Sequence, residues 1–411
     1  MTGSISEQPA LPGGITAFRR DPYPVYARAR RTPGVVYEPE LGAWLVSRYD
    51  DVREVLRRPD DFSSKGVLRP DVLPGPHALA EMASAPGGSP TVVSSDGAAH
   101  QRYRAPLVKG LSPTRVAALA PFADERAEAL VDGFAEDGRV ELVEAYAKRL
   151  PGEVIGRVLG LDAGDVPQAL SASHRAEELL FQPMPPDEQV RAAREVAALR
   201  HVFDRYARSR RESPRDDMIT EMVRALAPGD GEPTDEQRNE VVSNLANFLL
   251  AGHLTTTALI GTAVLNLLRH RDQWELLCER PELAPAAVEE AARFDAPVQA
   301  FHRTVARPVT LAGVELPAGA SVLVAFGSAN RDETRFDRPD VFDITRRPVR
   351  HVAFGHGVHA CPGSQLAREQ VRVTLETLAR RLPGLRLAPG EPVVMQPTLI
   401  HRSPEALHLV W

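Results

Sequence analysis

The chain has 411 residues, with 49 Lys and Arg against 55 Asp and Glu, for a formal net charge of −6. That balance argues against a dedicated nucleic-acid binder, which needs a basic face. Hydrophobic residues make up 43% and charged ones 25%, which excludes disorder as the dominant state, and a body this long buries about 75% of its unfolded surface, enough to enclose a cofactor.

In chain order, residues 1–24 are polar and studded with Pro and Gly, without the apolar core of a signal peptide. Residues 35–37 and 43–46 predict a hairpin, and Val52, Val55 and Leu56 place a helix over 49–57. The Pro-, Gly-, Ser- and Ala-rich stretch 62–99 reads as a long loop, of a kind that is usually functional and often a lid over a site. Amphipathic helices are predicted at 113–134, 140–159, 186–211 and 217–226, with a loop over 227–233. Thr234 to Gln237 has the form of a capping box. It opens a helix reaching about Arg269, roughly 50 Å long at ~1.5 Å per residue.

From Val241 to Leu268 that helix carries no charge, a length able to span a bilayer. Asn244, Asn247, His253, Thr255, Thr256, Thr257, Thr262 and Asn266 favour instead a helix buried at the centre of a soluble protein. Beyond it come a helix over 284–294 and short strands at 304–306, 309–311, 314–316 and 321–325. A loop over 331–363, a helix over 364–382 and strands near 393–395 and 407–411 complete the chain. The fold class is mainly α with a minor β-sheet part.

Two cysteines, Cys278 and Cys361, are too few for a disulfide framework and point to a reducing, cytoplasmic setting. Cys361 lies in the string Phe354-Gly355-His356-Gly357-Val358-His359-Ala360-Cys361-Pro362-Gly363, directly before a helix. Its glycines allow close backbone approach to a flat ligand, and the helix start favours a thiolate. Such a thiolate suits haem iron. The competing readings are a small buried apolar residue and a zinc cluster with His351, His356 and His359, whose spacing fits no standard zinc pair. Gly355-His356-Gly357 precedes no Rossmann unit.

This string resembles the cysteine-ligand loop of the cytochrome P-450 haem-thiolate monooxygenases, departing at Pro362, where that family usually has leucine or isoleucine. Three more elements are similar to that family, in the same order along nearly the whole chain. They are His100-Gln-Arg-Tyr-Arg104, like the haem-propionate helix; Ala251-Gly252-His253-Leu254-Thr255-Thr256, like the oxygen-binding motif; and Glu290-Ala-Ala-Arg293, like the Glu-x-x-Arg element.

The resemblance implies a single cytochrome P-450 domain over 1–411, with haem b buried between the long central helix and the cysteine-ligand loop. Cys361 is then the iron ligand, with Phe354 and Gly355 against the cofactor. His100, Arg104, Arg303 and His359 hold its propionates, and Glu290 and Arg293 are tied to Arg346. At 100° per residue Asn244, Asn247, Phe248, Ala251 and Thr255 share one helix face, with Leu254 at its edge and His253 opposite. Thr255 is expected to bond dioxygen or water, beside space left by Ala251 and Gly252. Leu254 stands where the family usually has an acid. Substrate contacts are expected from 62–99, 171–185, Asn244, Asn247, Phe248, Val298 within 296–300, and Leu399 and Ile400.

The implied activity is oxidation of a medium-sized organic substrate by dioxygen (hydroxylation, epoxidation or coupling), in secondary metabolism. A ferredoxin-type iron–sulfur protein and its reductase supply electrons, docking on a basic patch drawn from Lys109, Arg115, Arg368 and Arg372. Neither nucleic acid nor membrane is an expected partner. The alternative is a peroxide-using or non-turnover haem protein of the same fold.

Overall fold

A computed structural model describes residue 11 and residues 13–68, 70, 73–347 and 350–411. Residues 1–10 and 12 of the leading stretch, and parts of the loops expected over 62–99 and 331–363, lie outside the described residues.

One long helix, Asp235–Arg269, organises the molecule. Its start is fixed by a reciprocal cap: Gln237 N donates to Thr234 Oγ1 at 3.2 Å, and Thr234 N donates to Gln237 Oε1 at 2.9 Å. The helix is long and apolar enough to cross a membrane, but 78% of its most apolar window is buried inside the fold. Protein therefore covers its apolar surface, as expected of a core helix. Helices Arg149–Leu159, Pro186–Glu212, Ala284–Phe294 and Ser364–Arg381 share its main core.

The sheet is small and lies to one side. Strands β1 (Val36–Glu38), β2 (Ala43–Val46), β3 (Phe62–Ser63), β5 (Ala300–Val305) and β8 (Ser321–Ala325) run in the order β1-β2-β8-β5-β3. Only β2 and β8 pair in parallel. β6 (Val309–Leu311) and β7 (Val314–Leu316) form a hairpin about Ala312 and Gly313, both at positive φ, the turn that matches strand twist. β4 (Arg139–Glu141) pairs with β10 (His408–Val410), which also pairs with β9 (Arg386–Leu387).

Four expectations change. The helix expected over 140–159 opens as β4, passes through a π turn at Val143–Ala147 and becomes α-helical only at Arg149. The cause is distant in sequence: Leu142 N donates to Leu407 O, and Glu141 accepts from Leu407 N, so the C-terminal strand captures this segment. The strand expected at 304–306 begins at Ala300, drawn out by pairing with Ser321–Ala325. The strand expected near 393–395 is a single bridge from Met395 to Pro404. The expected lid loop contains β3 and a helix, Pro76–Ala83, whose Ala78 packs with Leu179, Ala192 and Val196. Helices Gly14–Arg20, Tyr23–Arg31 and Val166–Phe181 were not anticipated as helices.

Candidate active site

Between residues 240 and 268 the central helix has one exposed residue, Ala251. Asn247 and Thr255, one turn to either side, are half-buried. An exposed alanine at the middle of a buried helix marks space left against that face. Thr255 Oγ1 donates to Ala251 O at 2.9 Å, the back-bond that lets a threonine hydroxyl sit within a helix.

Gly252 does not contribute to this space. A Cβ there would meet Ile155 Cδ1 at 2.4 Å, so its missing side chain lets the helix Arg149–Leu159 pack closely. Asn244 is likewise committed to structure, accepting from Val92 N at 3.0 Å and donating to Glu240 O at 3.0 Å. Phe248 belongs to the main core, and Val298 and Leu399 are buried in the cores around the sheet. Leu399 O also accepts from Gln299 N at 2.8 Å. Of the six residues expected at the substrate, Asn247 lies on the open strip and Ile400 is half-buried.

The cysteine loop is folded on its own backbone. Cys361 N donates to Phe354 O at 2.8 Å, and Gly355 N donates to Val352 O at 2.9 Å. Gly357 (φ +71°) is required: a Cβ would lie 2.3 Å from the carbonyl oxygen of Leu56, in the last turn of the helix Tyr49–Arg57. The guanidinium of Arg368 covers the Phe354 ring at 4.2 Å and is held by Glu289, which His351 also contacts. Cys361 itself is exposed. Although the residue has open surface, desolvation by the protein atoms crowded around its sulfur pushes the thiol up, while the Gly363 amide, Arg104 and Arg368 act in the opposite direction. The helix start alone therefore does not ionise it, and a bound metal ion would.

Four donors converge nearby. His100 and Arg104 come from the helix Gly97–Gly110, Arg303 from β5, and His359 from the turn Gly357–His359. The His100 and His359 rings lie 4.1 Å apart. His359 Nε2 bonds Ser64 Oγ at 2.9 Å, Arg104 donates to Ala360 O at 2.6 Å, and Arg303 donates to His302 O at 2.8 Å. His100 Nε2 is buried without a partner. Burial and the neighbouring His100, Arg303 and Arg104 pull His359 down to about 3, and burial pulls Arg303 down to about 10. His100 and Arg104 are also pulled down, chiefly by burial. A buried group of donors held back from charge, one of them orphaned, fits an anion with two carboxylates. Haem b, with two propionates, matches this chemistry, and Cys361 is the sulfur that would hold its iron.

Glu290 and Arg293 are buried and pair through two bonds, of 2.7 and 2.8 Å. Arg346 donates to both Glu290 oxygens, at 3.2 and 3.1 Å. Arg293 also reaches Asn330 O at 3.0 Å, and Asn330 Oδ1 accepts from Val352 N at 2.8 Å, at the start of the cysteine loop. The sequence reading missed Ser64 and Asn330, whose partners are 295 and 22 residues away. No local pattern marks either.

The expected basic docking residues are already paired. Lys109 and Arg115 bond Glu221, Arg368 bonds Glu289, and Arg372 bonds Glu369 and Glu376. Their charge is largely offset locally, because acids from other turns and elements fold against them.

The sequence profile of the cytochrome P450 family matches residues 272–385. The chain is 34% identical to cytochrome P450 107B1 of Saccharopolyspora erythraea, over 94% of this chain and 93% of that protein. It is 36% identical to mycinamicin IV hydroxylase/epoxidase of Micromonospora griseorubida, over 90% and 89%. Among solved structures, cytochrome P450 CYP109Q5 from Chondromyces apiculatus superposes with a TM-score of 0.83 at 32% identity, covering 96% of this chain and 97% of that one. Fold, donor set and relatives agree: the chain belongs to the cytochrome P450 family. It is an oxygen-incorporating monooxygenase of that family, with haem b as its cofactor.

Proposed function

We propose that this enzyme hydroxylates, epoxidises or couples a medium-sized, partly polar secondary metabolite, working as one haem domain in the cytoplasm. Electrons come from a ferredoxin-type iron–sulfur protein and its reductase. The observation that carries the reading is the open strip Asn247–Ala251–Thr255 along an otherwise buried helix, which offers one amide and one hydroxyl on either side of a small alanine. A relative named mycinamicin IV hydroxylase/epoxidase supports the metabolite class.

In this reading the haem, when bound, supplies the redox centre at which dioxygen is activated. Cys361 holds the iron, with Phe354 and Gly355 shielding that side. His100, Arg104, Arg303 and His359 hold the propionates, and the Glu290–Arg293–Arg346 group fixes the segment leading into the cysteine loop. Thr255 presents its hydroxyl to the pocket, and Asn247 orients a polar group of the substrate. Small Ala251 keeps the space between them open.

The test is spectroscopic. The reduced, CO-bound protein should show the red-shifted thiolate band, lost in Cys361→Ala and kept in Cys278→Ala. Macrolide and other metabolite candidates are then screened for a spin-state shift, with Asn247→Leu weakening the shift for ligands that offer it a polar group. A Cys361→Ala protein that kept the band would end the assignment.

A further inference from the structure

Leu254 does not lie on the open strip. It is buried and, with Thr257, forms the central-helix wall of a separate recess of about 130 Å³. That recess holds a group of ionisable side chains with no part in the haem site. Glu177, on the helix Val166–Phe181, bonds Nδ1 of His401, which arrives from the C-terminal segment 224 residues away. His174, one turn before Glu177, lies 3.9 Å from its other oxygen. Behind them His253 is buried against Ser173 Oγ at 2.9 Å, turned away from Thr255. Burial alone would raise the Glu177 carboxyl, but His401 and His174 outweigh it and hold the group well below the usual carboxylate range. Glu177 is therefore ionised at neutral pH.

The recess has room for several waters and the polar walls to hold them. One wall atom requires such a water: Thr257 Oγ1 is buried without a partner. Lys148, Glu178 and Glu405 line the same recess, and Glu178 and Glu405 are about one-third and two-fifths exposed at their side chains. Across Leu254, about 100° around the helix, stands Thr255. The strip Asn247–Ala251–Thr255 has no carboxylate of its own.

We propose that His401 and Glu177 form the proton relay of this enzyme, feeding the Thr255 hydroxyl through water in the recess around Leu254, in place of a carboxylate on the central helix. The inference rests on the placement of Thr255 at the pocket given above. A proton passes from His401 across recess water to Thr255 Oγ1, whose hydroxyl turns from the Ala251 carbonyl and releases its own proton into the pocket. The neutral imidazole regains a proton from solvent at the outer rim. Glu177 is the positioning residue: it orients the imidazole, and each cycle returns the pair to its starting state. Leu254 stands between the recess and the open strip, and the relay requires water to pass along its edge to Thr255.

The holoenzyme tests this without a known substrate. Given electrons by a plant-type ferredoxin and its reductase, dioxygen leaves either as hydrogen peroxide (two electrons, two protons) or as two waters (four electrons, four protons). Peroxide released per dioxygen consumed then reads proton supply. Glu177→Gln and His401→Gln should each raise that ratio at least two-fold and enlarge the solvent isotope effect on dioxygen consumption. Haem loading should stay at the parent value, while the melting temperature falls because a largely buried pair is broken. Adding Leu254→Glu to Glu177→Gln should restore the parent ratio, which a merely structural tie between helix and C-terminal segment cannot explain.

A high-resolution crystal structure of the holoenzyme should show ordered water joining the Glu177 carboxylate to Thr257 Oγ1. A dry recess overturns the proposal, as does an unchanged ratio in both single variants or a raised ratio that Leu254→Glu leaves raised. Thr255→Ala separates the two layers. If it raises the ratio while the Glu177 and His401 variants do not, the relay alone fails. If it has no effect, the placement of Thr255 fails first.

Discussion

Arg293 and Asn330 form the joint between the buried charge group and the cysteine loop: the guanidinium donates to the Asn330 carbonyl, and the Asn330 side chain takes the Val352 amide. The Glu290–Arg293 pair therefore acts on the haem side of the molecule through one intermediary. It holds the loop's starting point in place, although neither residue touches that loop through a bond of its own side chain.

Removal of Glu290 should be costly for that reason. Glu290→Ala leaves Arg293, 2% exposed, without its counter-charge, a loss of about 3–5 kcal/mol, where an exposed pair contributes ~0–1 kcal/mol. The expected outcome is little folded, haem-loaded protein, read from the ratio of haem to protein absorbance and from thermal melts. Asn330→Ala should reduce haem loading while losing less stability. Near-normal loading and melting of Glu290→Ala would show that the pair is dispensable.

Gly357 makes a sharper steric case. Alanine there must hold φ near +71° and also displace the Leu56 carbonyl oxygen, 2.3 Å from the new Cβ. The first cost is about 1–2 kcal/mol, and the second moves the cysteine loop off the helix Tyr49–Arg57. Gly138 (φ +67°) carries the conformational cost alone, since nothing lies within 4 Å of its Cβ position. Gly357→Ala should lose haem affinity and stability together, whereas Gly138→Ala should melt slightly earlier with haem affinity unchanged. Equal behaviour of the two variants would remove the steric argument.

Gly252 separates packing from chemistry. Because Ile155 fills the space over it, Gly252→Ala should lower the melting temperature by several degrees through overpacking. The ratio of peroxide to dioxygen should not move. Ile155→Ala in the same protein removes both crowding atoms and should recover part of the loss, a coupling expected of side chains in contact. An undiminished melt, with altered peroxide release, would return Gly252 to the oxygen-facing side.

What the sequence made legible follows the reach of each signal. The helices Tyr49–Arg57 and Ala284–Phe294 and the hairpin about Ala312–Gly313 rest on spacing and turn chemistry within a dozen residues, and the structure has them at the expected bounds. β4 failed because its partner is the C-terminal strand, and periodicity cannot see a partner 266 residues away. Gly252 was misjudged for a related reason. Small size shows that something approaches, and only the fold says whether it is a ligand or Ile155. Lys109 was read as a free charge because Glu221, its partner, comes from another helix, whereas the partners of Arg372, Glu369 and Glu376, lie three and four residues away on its own helix and were legible. Glu177 and His401 carry no motif at all, and what joins them is a recess that exists only after both ends of the chain meet the central helix.

The donor group around His359 should make the apoprotein acid-sensitive. Its imidazole is pulled down to about 3 by burial and by the neighbouring His100, Arg303 and Arg104, against ~6.5 in the unfolded chain. The folded value is the lower one, so between pH 6.5 and 3 the unfolded chain binds the extra proton and the native state does not. Stability is therefore fully present above about pH 6.5 and falls as pH drops towards 3. His100, also pulled down, adds to the same slope. Bound haem should flatten it, because two carboxylates beside these rings favour their charged forms. Urea midpoints at pH 7.5, 6, 5 and 4 should fall more steeply for apoprotein than for holoprotein, and His359→Gln apoprotein should fall less steeply than the parent. Parallel slopes for all three would mean that His359 gains no counter-charge from the cofactor, and the propionate assignment would have to move to other side chains.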